Sequence, residues 1–135
     1  MRRIALPLLL ALSSLAFAPA PLPKPKRQAR QAGPSMEGLW RRPHNGGTVR
    51  ITAATWTNNP EMGRAPDFDV TTDPRASPAT FDMSLHRAPN LYLLGIYKVE
   101  GDTLTIHYRH ANRGRPAAFD DMAQGAATEV FTRAR

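Results

Sequence analysis

Leu91 to Arg109 reads Leu-Tyr-Leu-Leu-Gly-Ile-Tyr-Lys-Val-Glu-Gly-Asp-Thr-Leu-Thr-Ile-His-Tyr-Arg, a stretch suited to two strands joined by a tight turn. Both arms are rich in β-branched and aromatic residues, and Gly101-Asp102 sits where a two-residue loop needs a first position that tolerates positive φ. Pairing Glu100 with Thr103 sets Val99 against Leu104, Tyr97 against Ile106 and Gly95 against Tyr108 on one side of the ribbon, the expected core side. A tyrosine ring lying over Gly95 is a favourable cross-strand arrangement. The opposite side carries Lys98 across from Thr105 and Ile96 across from His107, and its polarity predicts a water-facing surface.

The rest of the chain punctuates in the same way. Gly38-Leu39-Trp40 opens the first strand, with Trp40 suited to plug one end of a barrel or sandwich. His44-Asn45-Gly46-Gly47 is a turn before the alternating Thr48 to Thr52, and Trp56 falls on a short strand ended by Asn58-Asn59-Pro60. Glu61 to Pro66 reads as loop. Asp67 to Thr72 points Phe68 and Val70 inward, and in Thr80 to Leu85 the side chains of Phe81, Met83 and Leu85 share a face. After the hairpin, His110 to Gly125 is loop-rich, with a short strand expected around Ala117 to Phe119, and Thr128 to Arg133 closes the domain. About eight short strands at this spacing predict an all-β fold, an antiparallel barrel or sandwich.

The chain has 135 residues with Lys+Arg 18, Asp+Glu 11 and a formal net charge of +7, a balance that taken whole suggests a polyanionic partner. Its distribution removes that reading. Arg2, Arg3, Lys24, Lys26, Arg27 and Arg30 precede Pro34, where no acidic residue occurs, so the remainder is nearly neutral and offers no basic stripe to a row of phosphates. Met1-Arg2-Arg3 followed by the apolar run Ile4 to Ala18 has the form of a secretory signal peptide, too short for a comfortable membrane span. Pro19 and Pro21 sit badly after the small-residue cleavage sites, which makes an uncleaved N-terminal anchor the alternative. Residues 19–35 then read as a Pro-rich basic linker, extended and semi-rigid, and 36–135 as the folded domain. The expected location is the periplasm, cell envelope or exterior, with membrane contact only through residues 1–34. With zero cysteines, the domain must rely on its hydrophobic core.

No residue pattern announces catalysis. Asp120-Asp121 are adjacent rather than convergent, and Ser35, Ser77 and Ser84 lack a nucleophile-elbow context. His107 and His110 would point to opposite faces of a continuous strand, so no metal and no cofactor is expected. Four residues are candidates for ligand contact. Trp40 and Tyr97 offer stacking surfaces, while Arg113 and Arg115 flank a glycine beside Phe119 and could clamp an anion. For Arg115 the competing role is structural, capping backbone carbonyls at a barrel end or stacking on Trp40.

Gly38-Leu39-Trp40, Pro78-Ala79-Thr80-Phe81-Asp82, Leu94-Gly95-Ile96-Tyr97, Glu100-Gly101-Asp102-Thr103-Leu104 and Arg115-Pro116-Ala117-Ala118-Phe119 together resemble an uncharacterised, largely planctomycete family of small exported proteins with a lipocalin-like β-barrel domain. The resemblance covers nearly all of Met36 to Arg135. It departs at His107, where the family often has cysteine, and at Arg109 to Gly114, which is more basic than the usual loop. It implies a lipocalin-like barrel of about eight short strands and no catalytic residues. The expectation is an exported, monomeric, non-catalytic protein binding a small apolar or amphipathic ligand, or an envelope partner, with no nucleic acid involved. The alternative is a structural or interaction module of the cell envelope with a fully packed barrel. A cavity of about 300 Å³ or more, lined by Tyr97, Ile106, Phe81 and Met83, would favour the binder.

Overall fold

The computed structural model describes residues 33–88 and 90–135; the signal-peptide or anchor segment and all but the last residues of the linker lie outside them. Eight strands follow one another around a closed antiparallel barrel: β1 (Gly38–Arg41), β2 (Thr48–Ile51), β3 (Thr55–Asn58), β4 (Phe68–Asp73), β5 (Ala79–Leu85), β6 (Leu91–Glu100), β7 (Thr103–His110) and β8 (Ala127–Arg133). Each strand pairs with the next, and β8 returns to β1 through Trp40 opposite Arg133 and Arg41 opposite Thr132. These two pairings join the first and last strands, so neither is the wholly free edge that an open sheet of this size would carry.

The central hairpin has the expected register throughout, from Glu100 opposite Thr103 to Gly95 opposite Tyr108. Gly101 adopts φ 60° at the turn, a conformation that glycine reaches without steric cost. The alternating inward residues make one core, including Trp40, Val49, Ile51, Trp56, Val70, Phe81, Met83, Tyr97, Leu104, Ile106 and Phe131. A register shift falls between Met83 and Ser84, which pair with Leu93 and Leu91. Tyr92 is the extra residue on β6, and bulges at barrel rims commonly re-aim a side chain in this way.

The two barrel ends differ. At the end holding the β6–β7 turn, Trp40 is fully buried, donates from Nε1 to the Met36 carbonyl at 2.9 Å, and lies under the Arg133 guanidinium at 4.3 Å. Met36 is also buried, so the aromatic ring and the incoming chain close this end. Gly33, from the segment read as linker, donates its backbone N–H to the Pro74 carbonyl beside it.

Four expectations are corrected. Ala117 to Phe119 forms bends and a turn, not a strand, and the loop after β3 begins with a short 3-10 turn, Pro60–Met62. The outer face of the hairpin is not open to water, since Ile96 is 1% and His107 0% exposed. Residues 111–126 fold back over the outside of β5 to β7 and cover it: Pro116 is fully buried, the Phe119 ring lies 6.5 Å from that of His107, and Lys98 Nζ rests 5.0 Å from the Phe119 ring. Finally, the ring over Gly95 is not Tyr108. A Cβ at Gly95 would meet Cε1 and Cζ of Phe81 at 2.3 Å, so β5 supplies the ring from the other side.

Candidate functional site

The end opposite Trp40 is open. There the barrel holds a cavity of about 320 Å³ lined by Arg42, Trp56, Asn58, Phe68, Met83, Tyr92, Leu93, Ile106, Tyr108 and Glu129. Strand parity explains the composition. Trp56, Phe68, Met83, Leu93 and Ile106 are inward residues of five strands, and they make an apolar body. Tyr92, placed by the bulge, stacks on Phe68 with ring centroids 5.8 Å apart and planes at 11°, while His110 meets its edge at 5.1 Å.

One wall is polar. Glu129 alternates with Phe131 along β8 and therefore faces inward, opposite Ile106. Its Oε1 accepts from the Tyr108 hydroxyl at 2.6 Å, and its Oε2 accepts from Arg42 Nε at 3.4 Å. Arg42 leaves β1 just above its last pairing with β8, so this ion pair continues across the seam where backbone pairing stops. Arg42 Nη2 donates to Asn58 Oδ1 at 3.1 Å, and Trp56 Nε1 donates to the same oxygen at 3.2 Å. Asn58 is held in turn by Asp67, whose Oδ2 accepts from its backbone N–H at 2.7 Å and from Nδ2 at 3.1 Å. Burial, and then the hydrogen bond to Glu129, push the Tyr108 hydroxyl well above the ordinary tyrosine range, so it stays a neutral donor.

The candidates from sequence lie elsewhere. Trp40 is the plug of the closed end. Tyr97 is buried toward that end and borders a second hollow of about 280 Å³ with Pro34, Pro78 and Phe119. Burial, with the Asp73 charge second, raises its hydroxyl pKa. Arg115 sits on the outer wall, where Nη1 donates to the carbonyls of Phe81 at 2.9 Å and Gly95 at 2.7 Å and Nη2 to Asp82 at 2.5 Å. That is carbonyl capping, but on the barrel's flank; the guanidinium over Trp40 belongs to Arg133. Arg113 donates to the Gln124 carbonyl at 3.4 Å within the same outer segment, so the two arginines form no clamp. Of the expected cavity lining, Ile106 and Met83 are present, and Tyr97 and Phe81 are absent.

The histidines do other work. His107 Nδ1 lies 2.7 Å from Thr128 Oγ1 and Nε2 lies 2.8 Å from the Asp121 carbonyl, which fastens the outer segment to the barrel. Arg109 adds an ion pair to the Asp121 carboxylate. β7 runs through His110, so His107 points outward and His110 toward Tyr92. Among the described residues, no group of three or more His, Asp or Glu side chains is placed to hold a metal ion. No family model, curated protein or solved structure matches this chain.

Proposed function

We propose that this protein is an exported, non-catalytic binding protein that holds a small amphipathic ligand in the open end of its barrel. The observation that carries the reading is the 320 Å³ cavity, walled by apolar side chains from five strands and by one hydrogen-bonded polar cluster. Ligand sites in general are concave, mostly apolar and furnished with a few placed polar groups, and a volume near the small end of their range points to a small ligand. Export rests on the N-terminal sequence, and a lipocalin-like kinship rests on the motifs quoted above together with the barrel.

The test is binding of an environment-sensitive apolar dye, aminoanthracene, to the purified protein. Saturable binding that Leu93→Trp abolishes, with thermal stability retained, supports the reading; unsaturable binding, or binding untouched by filling the cavity, refutes it.

A second reading, an interaction module of the envelope, has one observation in its favour. Met62, Leu85, Leu91 and Tyr92 are large, apolar and exposed at the open end, while exposed Met122 and Val130 lie on the outer segment and on β8. Exposed apolar groups gathered at one place commonly mark a docking surface.

A further inference from the structure

The bonding on the polar wall is lopsided. Both Glu129 oxygens already accept hydrogen bonds, and Asn58 Oδ1 accepts two. Arg42 uses Nε and one Nη2 hydrogen, and its Nη1 has no partner among the described residues. The guanidinium has donors in a planar fork and no acceptor, so what Arg42 has left to offer is donation alone. Its charge is settled as well, because Arg42 and Glu129 neutralise each other at 3.4 Å.

These two facts sort ligands by head group. A carboxylate could use the free fork, but it would bring a second negative charge beside Glu129 into a partly apolar cavity, where uncompensated charge is costly. An amine would meet the positive guanidinium, and its charge would be uncompensated beside a pair that is already neutral. An uncharged acceptor takes the free N–H groups without disturbing the pair. We propose that the ligand of this cavity presents an uncharged hydrogen-bond acceptor, a ketone, ester or amide carbonyl, to Arg42, with its hydrocarbon part against Trp56, Phe68, Met83, Leu93 and Ile106. The assignment rests on the cavity being a binding site, and it adds the ligand's chemical class.

Competition against bound aminoanthracene separates the two claims. Methyl hexyl ketone, heptanoate and heptylamine offer similar hydrocarbon length with a neutral acceptor, an anion and a cation. On the unmutated protein at neutral pH, the ketone should compete roughly tenfold better than either charged compound. The double variant Arg42→Met with Glu129→Gln removes the Arg42 donor together with its counter-charge and should weaken competition by the ketone several-fold while still binding the dye. Tightest competition by heptanoate or heptylamine, or equal competition by all three, overturns the head-group assignment and leaves the cavity reading intact. Undiminished competition by the ketone in the folded double variant overturns the role of Arg42. Failure of the dye itself to bind removes the cavity reading, and this assignment with it.

Discussion

Gly95 is the position where a single methyl group has the most predictable consequence. A Cβ placed there would lie 2.3 Å from both Cε1 and Cζ of Phe81 and 2.9 Å from the His107 carbonyl oxygen. Phe81 is 0% exposed, so its ring has no open space to turn into, and the carbonyl belongs to a strand paired on both sides. Gly95→Ala should gain about 0.5–1 kcal/mol from strand conformational preference. Overpacking should cost about 1–3 kcal/mol, and with two of the three close atoms on an immobile ring the upper part of that range is expected, for a net loss of about 1–2 kcal/mol. Phe81→Leu deletes the atoms in the way and by itself should cost about 2 kcal/mol, between the values for trimming one methyl group and removing a whole ring. Urea denaturation of the two single variants and the double gives the cycle. The double should be more stable than the sum of the singles by about 1 kcal/mol or more, whereas Gly95→Ala with Tyr108→Ala should couple less. Additivity with Phe81 alongside strong coupling to Tyr108 would refute the placement of the ring.

Arg115→Ala should uncap the Phe81 and Gly95 carbonyls and leave Asp82 unpaired, costing about 1–2 kcal/mol after allowance for partial exposure, or about 5–15 °C in Tm; hydrogen exchange should accelerate across residues 111–126. Asp121 is held below the ordinary carboxylate pKa, first by the Ala123 backbone N–H and also by Arg109. A depressed folded-state value means stabilisation present above the unfolded pKa of about 3.9 and lost as pH falls through the folded one. Thermal unfolding followed downward from about pH 5 should therefore show an acid loss that Asp121→Asn diminishes, and an unchanged acid limb in that variant would count against the contact. For export, fractionation with intact-mass measurement should find the native protein outside the cytoplasm, and a full-length soluble cytoplasmic product would sink both the signal-peptide and the anchor readings.

The barrel was legible because its strands alternate cleanly and its turns carry Gly, Pro and Asn at the breaks. The hairpin register followed from two residues, Gly101 and Asp102, because a two-residue loop leaves no freedom in pairing. What alternation cannot reveal is which loop covers which face. Ile96 and His107 read as outward, and they are outward; Pro116 and Phe119, apolar residues inside a polar stretch, were the only hint that something packs over them. The polar wall was missed for a related reason. Glu129 shares the inward face of β8 with Phe131, so its parity was readable, but a carboxylate on a core face signals a site only once Arg42 and Tyr108 are known to reach it. Trp40 and Tyr97 drew notice as large aromatics, although such residues serve a packed end as well as a pocket.

The two ends of the barrel can be probed through the chain's two tryptophans, which report on them separately. Trp56 lines the open cavity, with its Nε1 on Asn58, while Trp40 is buried in the plug, with its Nε1 on the Met36 carbonyl. A ¹⁵N-HSQC spectrum should therefore show one indole signal for each end. Titration with methyl hexyl ketone is predicted to move the Trp56 indole signal along a saturable curve and leave that of Trp40 in place. A shift at Trp40 alone, or no shift at either indole up to the solubility of the ketone, would contradict a binding site at the open end.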